Sequence, residues 1–493
     1  MMDADTSSAD VSASTTGEIE PGELKYSRTL ADLPGPRPLP VVGNLLQLNK
    51  RQMHLTFEKW MRKFGPAFRF KVFDRTMLVI SDHTVVNDML RKRPGAFRRS
   101  DGGINIMKEL KIAGVFTADG EAWRRQRKLV MRGLSPQVVR NYFPTMVHKT
   151  ERMLNRWKTA LQDGRQVDLH RDLKAMALDT IVGVAMGYDI DALNNDGNQL
   201  QSDIDNIFRT LGRRFAAPFA YWRHFRLPVD RAADRSAARI EEKVAEFIRN
   251  TRERMQCQPE LRSTPTNMLE ALIASSDEPD SNFTDQELIG NAITSVVGGE
   301  DTTAQSIAWM INLLAQHPAA AASLTAEVDA VLGDAPVVSQ WETLTRLPYL
   351  EAAHHESQRL RPVSPAVAAV SNVDCVVADT LIPKDTVIFA STIGAGRDEA
   401  HFPQAGLFRP EHWIFEHRPP ESDDPMRKLF PFGAGRRLCP GRFLALTEIK
   451  MVVSMLMHNF ELEFDAAAPP IEQIMNFFMV PSAVPVRLKL RNR

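Results

Sequence analysis

The chain has 493 residues, 43% apolar and 25% charged, the balance of an ordinary globular protein with material for a large core. Sixty-one basic residues offset sixty-one acidic ones, and a net charge of zero excludes general nucleic-acid binding. Cys257, Cys375 and Cys439 are scattered and form no C-x-x-C pair, which excludes a disulfide framework and a structural zinc site and points to a reducing, cytoplasmic setting.

The N-terminus, "MMDADTSSADVSASTTGEIEPGE", is acidic, rich in Ser and Thr, and lacks an apolar run, so residues 1–30 are expected to be a disordered tail. No stretch approaches the roughly 18 consecutive apolar residues of a membrane-spanning anchor. Four prolines in "LPGPRPLPVVGN" (33–44) predict a stiff, extended entry. "FRFKVF" and "MLVIS" (68–73 and 77–81) predict a hairpin around "DRT". From about 120 to 332 the apolar spacing is mostly helical, broken by loops such as "CQPELRSTPTN" and "SSDEPDSNF". Short strand-like pieces return at 373–393 and 476–490. Residues 31–493 are thus expected to form one domain, mainly α with small β-sheets.

The longest helix is predicted over "TDQELIGNAITSVVGGEDTTAQSIAWMINLLAQHP". It opens on a capping box, Thr284 with Glu287, and stops before Pro318. At its centre Gly298 and Gly299 each cost roughly 1 kcal/mol relative to alanine, and Glu300, Asp301, Thr302 and Thr303 follow directly. Two explanations stand. The glycines admit another helix at close range, or a flat cofactor and a small ligand approach the backbone there.

"FPFGAGRRLCPG" (430–441) cannot be regular helix: its glycines free the backbone and Pro440 keeps Cys439 out of a helix interior. The helix predicted from "RFLALTEIKMVVSMLMHNF" then begins just after Cys439. Its unpaired N–H groups, with Arg436, Arg437 and Arg442, favour a thiolate. A nucleophile and a metal ligand partnered by a cofactor are both open. With no resolving cysteine nearby, the ligand is the better reading.

Phe432, Gly435, Arg437, Cys439 and Gly441 match F-x-x-G-x-R-x-C-x-G, and here the chain resembles the cytochrome P450 haem-thiolate enzymes. Three further motifs share the resemblance in the family's order: Gly298–Thr303 on the long helix, Glu356 and Arg359 in "ESQRLRP", and Trp123 and Arg127 in "EAWRRQRK". It covers roughly residues 31–493 and implies the cytochrome P450 fold with haem b as cofactor.

The resemblance implies a role for each motif. Cys439 would ligate the iron, with Phe432 covering the sulfur. Arg437, Arg127 and Trp123 would donate to the haem propionates. Asp301 and Thr302 would deliver protons to bound dioxygen. Glu356, Arg359 and His412 would form a structural triad, with histidine where the family often has arginine. The family often places a further propionate donor after the E-x-x-R helix, but "VSPAVAAVSNV" (363–373) has none and reads as pocket lining.

By the same resemblance Ile104, Ile106, Phe215, Phe219, Val297, Val367, Phe478 and Met479 would line a substrate pocket. That apolar set suits a fatty acid, terpenoid or steroid. Arg213 and Arg214 are expected to be solvated helix charges. A separate ferredoxin or flavodoxin would supply electrons through a patch of Arg124, Arg125, Lys128, Arg132, Arg436 and Arg442. A monomer acting as a monooxygenase is the leading expectation. A peroxide-driven peroxygenase or rearranging enzyme on the same fold, and a non-catalytic haem sensor, are the alternatives.

Overall fold

The computed structural model describes residues 25–278, 283–414 and 425–492. Most of the expected tail therefore lies outside the described residues. Its last part does not behave as a tail: Arg28–Thr29 form a strand paired in parallel with Thr380 and Leu381.

A helix of 32 residues, Asp285–Gln316, forms the axis of the molecule and spans about 48 Å. Its start is the predicted capping box. Thr284 Oγ1 accepts from the Glu287 N–H at 3.2 Å, and Glu287 accepts from the Thr284 N–H at 3.0 Å. The same carboxylate also accepts from Arg125 at 2.8 Å and Gln126 at 2.9 Å, so the cap ties this helix to helix Gly120–Gly133.

The central helix packs on helix Leu169–Met186, which is buried along nearly its whole length. The crossing accounts for one of the two glycines. A Cβ on Gly299 would lie 2.5 Å from Ile181 Cγ1, so that glycine exists for close helix packing. A Cβ on Gly298 would meet nothing within 4 Å, and Gly298 is exposed although Val296, Val297, Glu300 and Asp301 around it are buried. One face is packed shut, and the next residue opens onto space.

The sheets gather to one side. The largest has the order Ala67–Val72, Arg75–Ile80, Val387–Ser391, Ala366–Ser371, Phe97–Arg98, antiparallel except for the parallel pair Arg75–Ile80 with Val387–Ser391. Phe57, Trp60, Phe68, Phe70 and Phe389 pack as an aromatic cluster against it. The predicted hairpin forms with its turn one position early. Val72 pairs with Arg75, which leaves Phe73 in the loop at φ 55° and Arg75 in the strand. Part of the stretch read as pocket lining is the strand Ala366–Ser371, whose small residues fit between two neighbours. Near the C-terminus, Phe460–Phe464 pairs with Val486–Leu490, and Gln473–Met475 with Met479–Pro481.

Gly299→Ala should lower stability by about 1–3 kcal/mol through overpacking against Ile181. Gly298→Ala should raise it by up to about 1 kcal/mol through helix propensity alone. Chemical denaturation of the two variants measures both, and equal effects would remove the distinction between the faces.

Candidate functional site

The cysteine loop is fixed by two backbone bonds: the Cys439 N–H donates to the Phe432 carbonyl at 2.9 Å, and the Leu438 N–H to the Gly435 carbonyl at 3.1 Å. Gly435 has φ +68°, and a Cβ there would lie 2.7 Å from Arg91 Cα in helix His83–Arg91. Only glycine satisfies both constraints. The helix that follows, Arg442–Asn459, has Gly441 as its N-cap, so Cys439 stands before a helix start as predicted.

The thiol does not respond as predicted. Burial pushes Cys439 up, and the Gly441 N–H with the charges of Arg127 and Arg442 only partly pull it back. Of the arginines expected to act on the thiol, Arg442 does so, joined by Arg127, while Arg437 is paired with Asp119 and Arg436 is exposed; dehydration outweighs the charges that reach the sulfur. A bound metal deprotonates a thiol outright, so the anionic sulfur belongs to the ligated state.

Three guanidinium groups meet beside the loop. Arg93 follows helix His83–Arg91, Arg99 follows strand Phe97–Arg98, and Arg437 belongs to the loop. Arg437 donates to the Ala118 carbonyl at 2.9 Å and to the Asp119 carboxylate, and it lies 4.5 Å over the ring of buried Trp123. Arg99 lies 3.7 Å over the ring of Phe116. Burial lowers all three. Arg93 falls to about 10 with the charge of Arg437 adding to the effect, and Arg99 falls well below its ordinary value with both neighbours contributing. Among the described residues, Arg93 Nη2, Arg99 Nε and Arg437 Nη1 are buried without a hydrogen-bond partner.

Asp119 is the anion that faces this group. Three positive charges against one negative leave two uncompensated in a dehydrated corner, which a protein interior tolerates only when anions complete it. The two propionates of haem b would supply that charge, and planar guanidinium forks suit carboxylates. The residues present therefore fit the cofactor. Arg93 and Arg99 would provide the donors missing after the E-x-x-R helix. Sequence reasoning missed both, because "RKRPGAFRRS" reads as a solvated basic stretch, and Arg98, paired with Asp385, behaves as one. Arg127 donates an Nη to the Leu438 carbonyl, bracing the loop.

Across the site, Thr302 lies one turn beyond the opening at Gly298 and donates to the Gly298 carbonyl at 2.8 Å. Asp301 is buried beside it. Its carboxylate accepts from Gln305 at 2.9 Å and faces Lys174 Nζ at 3.4 Å.

Behind the cysteine loop, Glu356 and Arg359 are fully buried and paired through two bonds of 2.8 and 2.7 Å. Arg359 also donates to the carbonyls of Gly396, Ala405 and Leu407 at 2.5–2.9 Å. Glu356 accepts from the Arg409 N–H, His412 Nδ1 and Trp413 Nε1 at 2.8–3.1 Å. The expected triad is present, enlarged by Trp413. Burial opposes the charge on Glu356, yet Arg359 and His412 hold its carboxyl down at about 2.

The expected pocket residues divide. Phe215 and Phe478 join Phe116, Phe208 and Phe477 in a chain of aromatic contacts, with ring centroids 4.7–6.5 Å apart. Phe116 and Phe208 were not singled out in the sequence, where an isolated phenylalanine looks like core. Ile104 and Ile106 are half-buried on helix Asp101–Glu109, and Val297 is buried beside the opening at Gly298. Val367 lies in strand Ala366–Ser371. Met479 is fully buried, its N–H bonded to the Val363 carbonyl and its own carbonyl accepting from Trp309 Nε1, and Phe219 is 62% exposed at the surface. Arg213 and Arg214 are not the solvated charges expected. Arg213 donates to Asp230 at 2.7 Å, and Arg214 is buried against Trp222 and 3.6 Å from Glu109.

The family model for Cytochrome P450 matches residues 33–487. Curated relatives include ferruginol synthase of Salvia fruticosa, 28% identical over 92% of this chain and 93% of that protein. Sugiol synthase of Salvia miltiorrhiza is 27% identical over the same shares. Cytochrome P450 3A6 of Oryctolagus cuniculus is 27% identical over 87% of this chain and 85% of its own length.

Arg359→Ala would strand a buried carboxylate and should cost about 3–5 kcal/mol. Because the Glu356 carboxyl is held at about 2, its contribution is present above the ordinary carboxyl range and lost as pH falls through that value. Acid unfolding should thus lose a proton-linked step in Glu356→Gln, read from denaturant midpoints from about pH 5, above the ordinary carboxyl value, down to about pH 2, the shifted one. An unchanged acid limb would contradict the assignment.

Proposed function

The chain belongs to the cytochrome P450 family, and from that premise we propose that it hydroxylates or epoxidises a lipophilic molecule of the fatty-acid, terpenoid or steroid class, taking electrons from a separate ferredoxin or flavodoxin. The family makes it a cytochrome P450 monooxygenase with haem b as cofactor. The observation that carries the finer reading is the opening at Gly298 and Thr302 in an otherwise buried helix, with Asp301 directly behind it and an aromatic wall nearby.

When bound, the haem supplies oxidising chemistry at a sulfur-ligated iron. Cys439 would be the ligand, and Arg93, Arg99, Arg437 and Trp123 would hold the propionates. Phe432, half-buried over the loop, excludes water from the sulfur. Thr302 places its hydroxyl at the open strip, where it would turn from the Gly298 carbonyl to donate, and Asp301 can renew that proton from behind, which is general-acid work by positioned groups. The Phe116, Phe208, Phe215, Phe477 and Phe478 rings present apolar surface without a fixed charge, which orients a lipophilic substrate by exclusion of water.

For electron entry, exposed Arg124, Lys128, Arg132 and Arg436 with half-buried Arg442 support a landing surface for an acidic partner. Arg125 is half-buried with its guanidinium engaged by Glu287, and Arg124, though exposed, is paired with Glu121, so Lys128, Arg132 and Arg436 carry most of the free positive charge. The unpaired cysteines support a cytoplasmic setting.

A panel of fatty acids, terpenoids and steroids should contain compounds that shift the ferric spin state and yield oxygenated products with a ferredoxin and its reductase. A panel without either response would reject the substrate class. Turnover driven better by peroxide than by the protein partner would favour the peroxygenase reading. The double variant Lys128→Glu with Arg436→Glu should slow reduction by ferredoxin about tenfold or more at low ionic strength and leave reduction by dithionite intact. Stopped-flow measurement with both reductants checks this.

A further inference from the structure

Glu300, one residue before Asp301, has no place in the reading above. It is completely buried, and neither carboxyl oxygen has a hydrogen-bond partner among the described residues. The cation that reaches it is Lys174 of helix Leu169–Met186, with Nζ 3.5 Å from Glu300 Oε1, inside ion-pair range but not aligned as a hydrogen bond. The same ammonium lies 3.4 Å from Asp301 Oδ1 and is bonded to Asp205 of helix Gln199–Ala216. Asp205 has a third of its side chain in solvent, whereas Lys174 is 10% exposed. A single ammonium thus touches the proton-delivering acid, a carboxyl sealed in the core and a carboxylate at the surface. From the other side, His170 approaches Gln305 at 3.1 Å, and Gln305 in turn donates to Asp301.

We propose that Glu300 is a proton reservoir for Asp301 and that Lys174 is the positioning residue through which the proton passes. The inference rests on the reading of Asp301 as the proton-delivering acid. In the step, Lys174 gives a proton to the Asp301 carboxylate and takes one from the Glu300 carboxylic acid. The ammonium is unchanged, Glu300 becomes a carboxylate and Asp301 an acid, so charge and protons balance. Water at Asp205 then restores Glu300 through the same ammonium. Two charged facts agree with this direction of flow. Burial, with the charge of Asp301, raises Glu300 to about 8 against the pull of Lys174, so it holds its proton at neutral pH. Burial opposes the charge on Lys174, yet Asp301, joined by Glu300 whenever that group is ionised, raises it.

Infrared difference titration of the holoenzyme should show a protonated-carboxyl C=O band that disappears as pH rises through about 8. It should be absent in Glu300→Gln and retained in Asp301→Asn. The kinetic readout is NADPH-driven dioxygen consumption with a ferredoxin and its reductase. The wild-type rate should fall on the alkaline side of that value. Glu300→Gln and Lys174→Met should lose this limb, with rates reduced about tenfold, the low side of what positioned proton-transfer groups contribute, and Lys174→Arg should restore part of it. Both substitutions nearly preserve side-chain length, and the infrared band of Glu300 reports on Lys174→Met even if turnover is lost. If Asp301→Asn leaves the rate unchanged, the proton-delivery reading itself fails. If Asp301→Asn slows turnover while Glu300→Gln and Lys174→Met keep the wild-type profile, or the band is missing from wild type, the reservoir alone is overturned.

Discussion

The carboxylate of Glu356 holds the cysteine side of the molecule together. It is sealed from water, and its two oxygens are saturated by the Arg359 guanidinium, the Arg409 N–H, His412 and Trp413. The remaining donors of Arg359 reach three carbonyls between Gly396 and Leu407. One helical turn of Pro348–Leu360 thereby fixes a loop-rich stretch that has little regular structure of its own. A buried ion pair is weak evidence for stability in general, because hydrophobic replacement often does as well. Here its value is geometric: hydrogen bonds with fixed directions locate segments that apolar packing alone would leave free to slide.

Other buried charges in the protein lack such completion, Arg214 and Glu448 among them, and three incomplete sets belong to the elements of the candidate site. Arg93, Arg99 and Arg437 exceed Asp119 by two charges on the haem-propionate side. Glu300 lacks hydrogen bonds on the other face of the central helix. Cys439 is held as a thiol by burial although positive groups surround it. A core that closes the ledger around Glu356 leaves it open around the opening at Gly298, which is the pattern expected when charge is reserved for a bound group or a moving proton.

Local chemistry made the central helix legible: a capping box at Thr284 and Glu287, apolar positions on several faces, and a proline stop. The cysteine loop was legible for the same reason, since glycines, Pro440 and the following helix are all short-range features. What depended on distant neighbours was not. Gly298 and Gly299 are identical in sequence and differ because Ile181 stands against one of them. Arg93 and Arg99 share a basic stretch with Arg98, and which guanidiniums turn inward is decided by loops more than ten residues away. The thiol was misjudged because helix dipole and arginines can be read from the chain, whereas the depth of burial that outweighs them cannot. That Ala366–Ser371 is a strand was not legible, because alanine-rich segments carry little periodicity.

The guanidinium of Arg99 lies flat against the ring of Phe116, and that ring touches Phe477 in the aromatic wall. Evolution therefore cannot reshape the wall at position 116 in isolation. A mutation selected there for a new ligand would alter the support beneath a cofactor-holding arginine, and with it the electrochemistry of the iron. Diversification of substrate range in this lineage should be freer at Phe208 and Phe478, whose rings have no such second duty.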